Sequence, residues 1–149
     1  MIQKLEFSMP TVFQLHEIEK VCFGKDAWSI NSLVGEYKNE YSHIFGEVVD
    51  GKVIGYVCVR TIYEEAQICN IAVLPDYRRR GIATRLLQTV AEFAVEQKCE
   101  RCELEVNVCN TPAVELYKKC NYEIAGTRVN FYRRTRYASR DAFTMVKTL

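Results

Sequence analysis

No apolar run in this sequence reaches the ~20 residues that cross a bilayer as a helix, and its start, MIQKLEFSMPTVFQ, lacks a basic stretch followed by an unbroken apolar one. The first absence excludes a helical membrane span. The second argues against a secretory signal, so the expected setting is the cytoplasm. No repeat, low-complexity tract or linker interrupts the 149 residues, which suit one domain, 1–149, with its own core. Net charge is scarce too. A formal value of +1 gives no case for direct nucleic-acid binding. Metal ligands lack the necessary pattern: Cys99 and Cys102 form one C-x-x-C, but no second pair accompanies it, and His16 and His43 lie far away in sequence. The seven cysteines (22, 58, 69, 99, 102, 109 and 120) therefore read as small, reduced core residues, and no metal is expected. Also missing are the P-loop and the dinucleotide G-x-G-x-x-G, which disfavours nucleotide hydrolysis.

What is present is an ordinary globular composition, 48% hydrophobic and 26% charged, with its charge polarised along the chain. Residues 1–70 hold six Lys/Arg against ten Asp/Glu, and residues 71–149 hold fourteen against nine. That polarity suits an anionic ligand in the second half and a cationic one in the first, or simply an uneven surface.

Hydrophobic periodicity predicts a mixed α/β fold. Residues 2–7 read as a strand, Val12, Leu15, Ile18 and Cys22 share a helical face, and Ser29 can cap a second helix. Two apolar runs, HIFGEVV and KVIGYVCVRTIY, are joined by Asp50-Gly51, a type I′ hairpin signal. A strand at 66–74, a helical face from Ile82 to about Lys98 and an alternating strand RCELEVNV follow. TPAVELYKKC opens as a helix with a Thr111 cap and Pro112 at its first position, and YEIAGTRV and AFTMVKTL close the chain as strands. The expected order is β-α-α-β-β-β-α-β-α-β-β, a mixed sheet with helices on its faces.

Between the 66–74 strand and its helix lies YRRRGIATR. A strand that enters a helix through glycine leaves unpaired amides at the positive end of the helix, and such a place binds phosphate. Gly81 permits close approach, Ala83 keeps the next exposed position small, and Arg79 and Arg80 add positive charge.

RRRGIA at 78–83 resembles the Q/R-x-x-G-x-G/A acyl-CoA signature of the GNAT N-acetyltransferases. Further blocks extend the resemblance over nearly the whole chain: WS at 28–29, EEAQICNIAV, LEVNVCNTPAVELYKKCNYE and NFYRRTRYASRDAFTM. Together they are most similar to the RimI type, which acetylates the N-terminal α-amine of a ribosomal protein. Ala83 stands in place of a commoner glycine. Phe131 replaces the first tyrosine of the NYY found in peptide-binding members, which leaves Tyr132 to hydrogen-bond a peptide and Phe131 to pack.

The resemblance implies a GNAT fold, acetyl-CoA as co-substrate, and direct attack in a ternary complex. It implies that Ile71, Ala72 and Val73 use edge main-chain groups to align the pantetheine arm and polarise the thioester carbonyl, that residues 79–84 (Arg79, Arg80, Gly81, Ile82, Ala83, Thr84) cradle the pyrophosphate, and that Asn110 contacts CoA, although by its place before the helix Asn110 reads equally as a cap or turn residue. An α-amine attacks only as its free base, so a proton acceptor is required. Along CELEVNV, alternation puts Glu103, Glu105 and Asn107 on one face, the two glutamates roughly 7 Å apart, where repulsion and burial favour a basic carboxylate. Resemblance selects Glu105 as that base and gives Tyr117 the role of general acid at the leaving sulfur. By periodicity alone Tyr117 is core-facing.

The acceptor is expected between the first two helices, with Trp28 between them, and the loop NFYRRTRYASRD, where Tyr132 is the second substrate contact. Glu17, Glu19, Asp26 and Glu36 on the first wall are expected to attract the α-amine and a basic tail, with Arg133, Arg134, Arg136 and Arg140 facing outward. A protein N-terminus, most simply an N-terminal alanine of a small-subunit ribosomal protein, is the expected partner. A small-molecule amine as acceptor and a non-catalytic acyl-CoA-binding module remain the alternatives, the second opposed by the presence of both Glu105 and Tyr117.

Overall fold

A computed structural model describes all residues, 1–149. In chain order the elements are β1 (Ile2–Lys4), α1 (Met9–Phe23), α2 (Ile30–Lys38), β2 (Ser42–Val49), β3 (Lys52–Ile62), β4 (Glu65–Val73), α3 (Ile82–Glu96), β5 (Arg101–Asn107), α4 (Thr111–Lys119), β6 (Glu123–Arg128) and β7 (Ala142–Thr148). Short 3₁₀ turns at Gly24–Asp26 and Pro75–Tyr77 precede α2 and α3. The order matches the one that periodicity predicts. No helix is long and apolar enough to cross a membrane.

Seven strands form one sheet in the order β1-β2-β3-β4-β5-β7-β6, antiparallel except for the central β4–β5 pair. Alternation along β3, shifted by one residue where the β2–β3 register breaks and leaves Ile54 as an extra residue, sends Ile54, Val57 and Val59 to one face, where α3 and α4 pack through Leu86, Leu87, Val90 and Val114. Val53, Tyr56 and Cys58 point to the other face, against Val12, Leu15 and Ile18 of α1 and Leu33 of α2. The β2–β3 turn has positive φ at both Asp50 (50°) and Gly51 (77°), as a type I′ hairpin requires.

Several boundaries differ from expectation for local reasons. β1 stops at Lys4 rather than residue 7 because the chain must turn to start α1, whose first turn Ser8 caps by accepting the Thr11 amide. α3 ends at Glu96, after which Lys98 takes a left-handed conformation (φ 64°) and the Cys99 amide donates to the Ala94 carbonyl. Helix α4 is capped by Asn110, not Thr111: the Asn110 side chain accepts the Ala113 amide, which moves Thr111 and Pro112 into the first turn.

The central feature is an opening in the sheet. The β4–β5 pairing covers only Glu65↔Arg101, Ala66↔Cys102 and Gln67↔Glu103. Immediately beyond it, β4 carries a bulge against β3: Cys58 faces Asn70 while Val59 faces Ile68, so Cys69 is the extra residue. A bulge bends and over-twists its strand. This one sits where β4 swings away from β5, leaving the second halves of both strands with facing, unpaired edges.

Beneath the opening, Glu19 of α1 is fully buried. Its Oε1 accepts hydrogen bonds from the Tyr56 hydroxyl and the Asn70 amide, and its Oε2 has no partner. Burial pushes its carboxyl up to about 7, against the lowering effect of the Tyr56 hydroxyl and the Trp28 main chain. The folded protein thus holds a proton that the unfolded chain releases near pH 4.5. Between those values the folded state binds more protons, so this group's contribution falls as pH rises from about 4.5 to about 7 and is constant above. Relative to Glu19→Gln, the wild type should lose stability on the order of 3 kcal/mol between pH 5 and pH 8 in denaturant titrations. Parallel stability curves for the two proteins over that range would show that Glu19 does not titrate there.

Candidate active site

The strand opening leads into a cleft of about 430 Å³. Its floor comes from β4 (Ile68–Ile71) and β5 (Leu104–Asn107), one side from Asn110 and Tyr117, and the outer rim from Phe23–Trp28 and the β6–β7 loop. Trp28, Ile68, Cys69, Glu105 and Tyr132 also line an adjoining recess of about 290 Å³. The strand edges therefore meet two approaches at Glu105.

Glu105 projects to the α1/α2 face of β5, opposite Leu104 and Val106, which join the α3/α4 core. Its side chain is 8% exposed. Gln67 donates from Nε2 to Oε2 at 3.3 Å, and the Arg128 guanidinium stands 3.5 Å from Oε1. Neither partner was indicated by local sequence: Gln67 reaches Glu105 through the last rungs of the β4–β5 ladder, and Arg128 through the β6–β7 pairing. Glu103 lies outside the cleft lining, and burial, aided by Glu65 and Glu105, raises its pKa.

Tyr117 enters from the other side. It is buried on α4 and lines the cleft beside Asn110, with its ring 5.9 Å from that of Tyr122. Burial, with smaller contributions from Tyr132 and Cys120, drives its pKa well above the ordinary tyrosine value, so it stays a protonated phenol near neutrality. Tyr132 is also raised, to about 12, by burial and then by Glu105 and Tyr137. Its main chain is pinned by Arg140, whose Nε donates to the Tyr132 carbonyl at 2.7 Å. Trp28 lies at the rim, its carbonyl 3.1 Å from His16 Nδ1. Asn107, on the same strand face as Glu105, donates to the Ser139 carbonyl at 2.8 Å and so anchors the β6–β7 loop.

The three β4 residues 71–73 are not equivalent. The Leu74 amide donates to Ile54, and the two-residue alternation of an antiparallel ladder then directs Ala72 toward β3 and turns Ile71 and Val73 toward the opening. Consistently, the Ile71 amide donates to Asn70 Oδ1 at 3.1 Å, and the Val73 carbonyl accepts from Arg78 Nε at 3.0 Å.

The arginine turn lies beyond these edges. Arg79 and Gly81 both have positive φ (62° and 77°), so the main chain curls tightly before α3. No side chain caps this helix, and its first closing bond is Arg85 N–H to Gly81 O; the amides of Ile82, Ala83 and Thr84 have no partner in the chain. The three arginines part company. Arg78 folds back onto β4, Arg80 stacks over Tyr77 at 5.2 Å, and Arg79 is exposed.

The expected charge of the acceptor walls is corrected. Glu19 is buried, Glu36 is paired with Arg60, Glu17 is paired with Lys20, and Asp26 accepts the Arg136 main-chain amide. An acidic wall therefore does not form. Arg134 and Arg136 line the cleft instead of facing outward, whereas Arg133 is exposed and outside it. The reason is the Asp26–Arg136 bond, which ties the β6–β7 loop to the 3₁₀ turn after α1 and rolls this part of the loop over the opening; the Arg136 guanidinium then stacks on Phe23 at 5.5 Å.

Comparison with known proteins agrees with this geometry. The model of the acetyltransferase (GNAT) family matches residues 11–122. A candidate ribosomal protein bS18-alanine N-acetyltransferase of Bacillus subtilis is 35% identical over 119 residues, covering 79% of this chain and 78% of that protein. The N-alpha-acetyltransferase RimI of Mycobacterium tuberculosis is 31% identical over 87% of this chain and 81% of its own. Among solved structures, the ribosomal-protein-S18-alanine N-acetyltransferase of Escherichia coli superposes with a TM-score of 0.86 at 25% identity, over 99% of this chain and 94% of that one.

Proposed function

The chain belongs to the acetyltransferase (GNAT) family, and we propose that it is a cytoplasmic enzyme of the RimI type that moves an acetyl group from acetyl-CoA to the N-terminal α-amine of a protein. An N-terminal alanine of a small-subunit ribosomal protein is the acceptor to which the names of its relatives point. The observation that carries this reading is the placement of a carboxylate, Glu105, and a buried phenol, Tyr117, on two sides of one cleft at the mouth of the sheet opening.

The residues present suit acetyl-CoA. Unpartnered amides at Ile82, Ala83 and Thr84, with Arg79, Arg80 and the open approach at Gly81, form an anion cradle for its pyrophosphate. Ile71 and Val73 offer main-chain groups along the opening, Ala72 supports them from inside the ladder, and Asn110 stands beside Tyr117. Bound there, acetyl-CoA would supply the activated acyl group. The chain's own work is proton handling and placement. Glu105, oriented by Gln67, takes the proton of the acceptor ammonium so that the free amine attacks. Tyr117 delivers its hydroxyl proton to the departing sulfur as the C–S bond breaks, and the second proton, shed by the attacking nitrogen as the amide forms, restores the phenol. Trp28 and Tyr132 hold the acceptor's first residue at the junction of the two recesses.

Intact-mass spectrometry of a peptide with a free N-terminal alanine, incubated with acetyl-CoA and the protein, should show one added acetyl group, absent from the same peptide with a blocked N-terminus. Initial rates should follow a sequential rather than ping-pong pattern, since attack is direct. Acetylation of small polyamines or aminoglycosides with no turnover of peptides would assign the cleft to small amines.

A further inference from the structure

Two of the cysteines meet at the point where the sheet opens. Because Cys69 is the bulged residue of β4, it and Asn70 both stand across from Cys58 on β3. Their side chains share a face: Cys58 belongs to the core beneath α1 and α2, and Cys69 packs against that same cluster. Cys58 is fully buried, whereas Cys69 is half-buried and lines both recesses of the cleft. A small molecule in the cleft therefore meets Cys69 first. Both thiols are free, Cys69 Sγ donating to the Gln67 carbonyl at 3.6 Å and Cys58 Sγ to Glu36 Oε2 at 3.7 Å. Hydrogen bonding from Cys58, helped by the positive charge of Arg60, lowers the pKa of Cys69 against the effect of burial, while the same contact and burial raise that of Cys58. The pair is unequal, an accessible thiol that ionises readily beside a hidden one that does not. No other cysteine lines either recess, and Cys99 and Cys102 lie in the α3/α4 core.

We propose that Cys69 and Cys58 form an oxidation site for small hydroperoxides, at which Cys69 reacts first and Cys58 then closes a cross-strand disulfide that slows acetyl transfer. The Cys69 thiolate attacks the peroxide, the O–O bond breaks, and the leaving oxygen takes up the thiol's proton, which leaves a sulfenic acid on Cys69. Cys58 sulfur then attacks Cys69 sulfur, the S–O bond breaks, and hydroxide departs with the Cys58 proton as water. Two thiols lose two electrons and one peroxide gains them. Opposed residues of antiparallel strands have Cα atoms about 4.5–5.5 Å apart, within the span that a disulfide bridges. The new bond ties the bulge to β3. Gln67, two residues before Cys69, orients Glu105, and Ile71, two residues after it, turns its main chain to the opening, so a shift of the bulge displaces both. The effect on rate rests on the function proposed above; the oxidation does not.

The test treats the fully reduced protein with hydrogen peroxide, blocks the remaining thiols and digests it with trypsin in the absence of reductant. Mass spectrometry should find the peptides 53–60 and 61–78, which carry Cys58 and Cys69 and no other cysteine, joined by a disulfide. In parallel, kcat on a peptide with an N-terminal alanine should fall by about tenfold or more and return with dithiothreitol. Cys58→Ala should strand Cys69 as a sulfenic acid that dimedone captures. Cys69→Ala should give neither the link nor any reversible loss relative to its own untreated rate. A link to a different cysteine, a dimedone adduct on wild-type Cys69 in place of the link, or no oxidation at either residue would overturn the site. A complete link with an unchanged rate would overturn its effect on catalysis. In a protein that acetylates no peptide before treatment, the joined peptides still decide the site, and the failure counts against the acceptor alone.

Discussion

Glu105→Gln is expected to lower kcat by roughly 10²- to 10⁴-fold at neutral pH, the range for a lost general base, with little change in acetyl-CoA affinity. The substitution keeps the shape of the side chain and an oxygen for the Gln67 amide, but it cannot take a proton from an ammonium group. The defect should therefore depend on how much of that work solvent can do. A peptide α-amine has a pKa of about 8, so raising the pH through that value should narrow the gap between variant and wild type. Tyr117→Phe should also lower kcat, but without this recovery, because the missing proton is one that has to be delivered rather than removed. The contrast between the two profiles identifies base and acid more securely than either loss of rate alone. Full activity of Glu105→Gln at pH 7 would move the search to Glu103, whose raised pKa already suits a proton acceptor, or to a water chain.

Much of this architecture could be read from the chain because it is written in local periodicity. The α3 stripe, the Asp50-Gly51 hairpin and the alternation of β5 each depend on neighbours a few residues apart, and each forms as expected. The chain-order resemblance around Gly81, Glu105 and Tyr117 supplied the candidate chemistry, and the fold brings Glu105, Tyr117, Trp28, Tyr132, Asn110 and Ile71 to one cleft. What could not be read is set by register. Nothing in EEAQICNIAV announces that Cys69 is the bulged residue, yet that extra residue marks where the sheet opens. The partners of Glu105 were hidden for the same reason, since Gln67 and Arg128 come from strands on either side in space. Charge is not legible in a count of acidic residues, which ignores burial and pairing: Glu19 points into the core and Glu36 is matched by Arg60, while Arg134 and Arg136, but not Arg133, line the cleft once Arg136 is bonded to Asp26.

Gly81→Val should weaken binding of CoA by at least about tenfold, whereas Arg79→Ala should cost only a few-fold, and that smaller loss should shrink as salt screens an exposed charge. The argument turns on the backbone. Gly81 caps α3 with φ 77° and ψ 12°, a left-handed conformation that a β-branched residue adopts only at a cost on the order of 1–3 kcal/mol. A Cβ at this position would meet nothing nearer than the Arg85 guanidinium at 3.5 Å, so the penalty is conformational and not a clash. The chain can relieve it by unwinding the first turn of α3, which scatters the amides of Ile82, Ala83 and Thr84 that form the proposed cradle. Calorimetric titration with CoA measures both variants directly. Gly81→Ala provides a graded comparison, because alanine tolerates the left-handed region better than valine while also removing the glycine. Because Glu105 and Tyr117 stand on β5 and α4, away from this turn, kcat of Gly81→Val at saturating acetyl-CoA should fall far less than its CoA affinity. Equal losses of CoA binding in Gly81→Val and Arg79→Ala would mean that the arginine side chains, and not the main-chain amides, hold the phosphates.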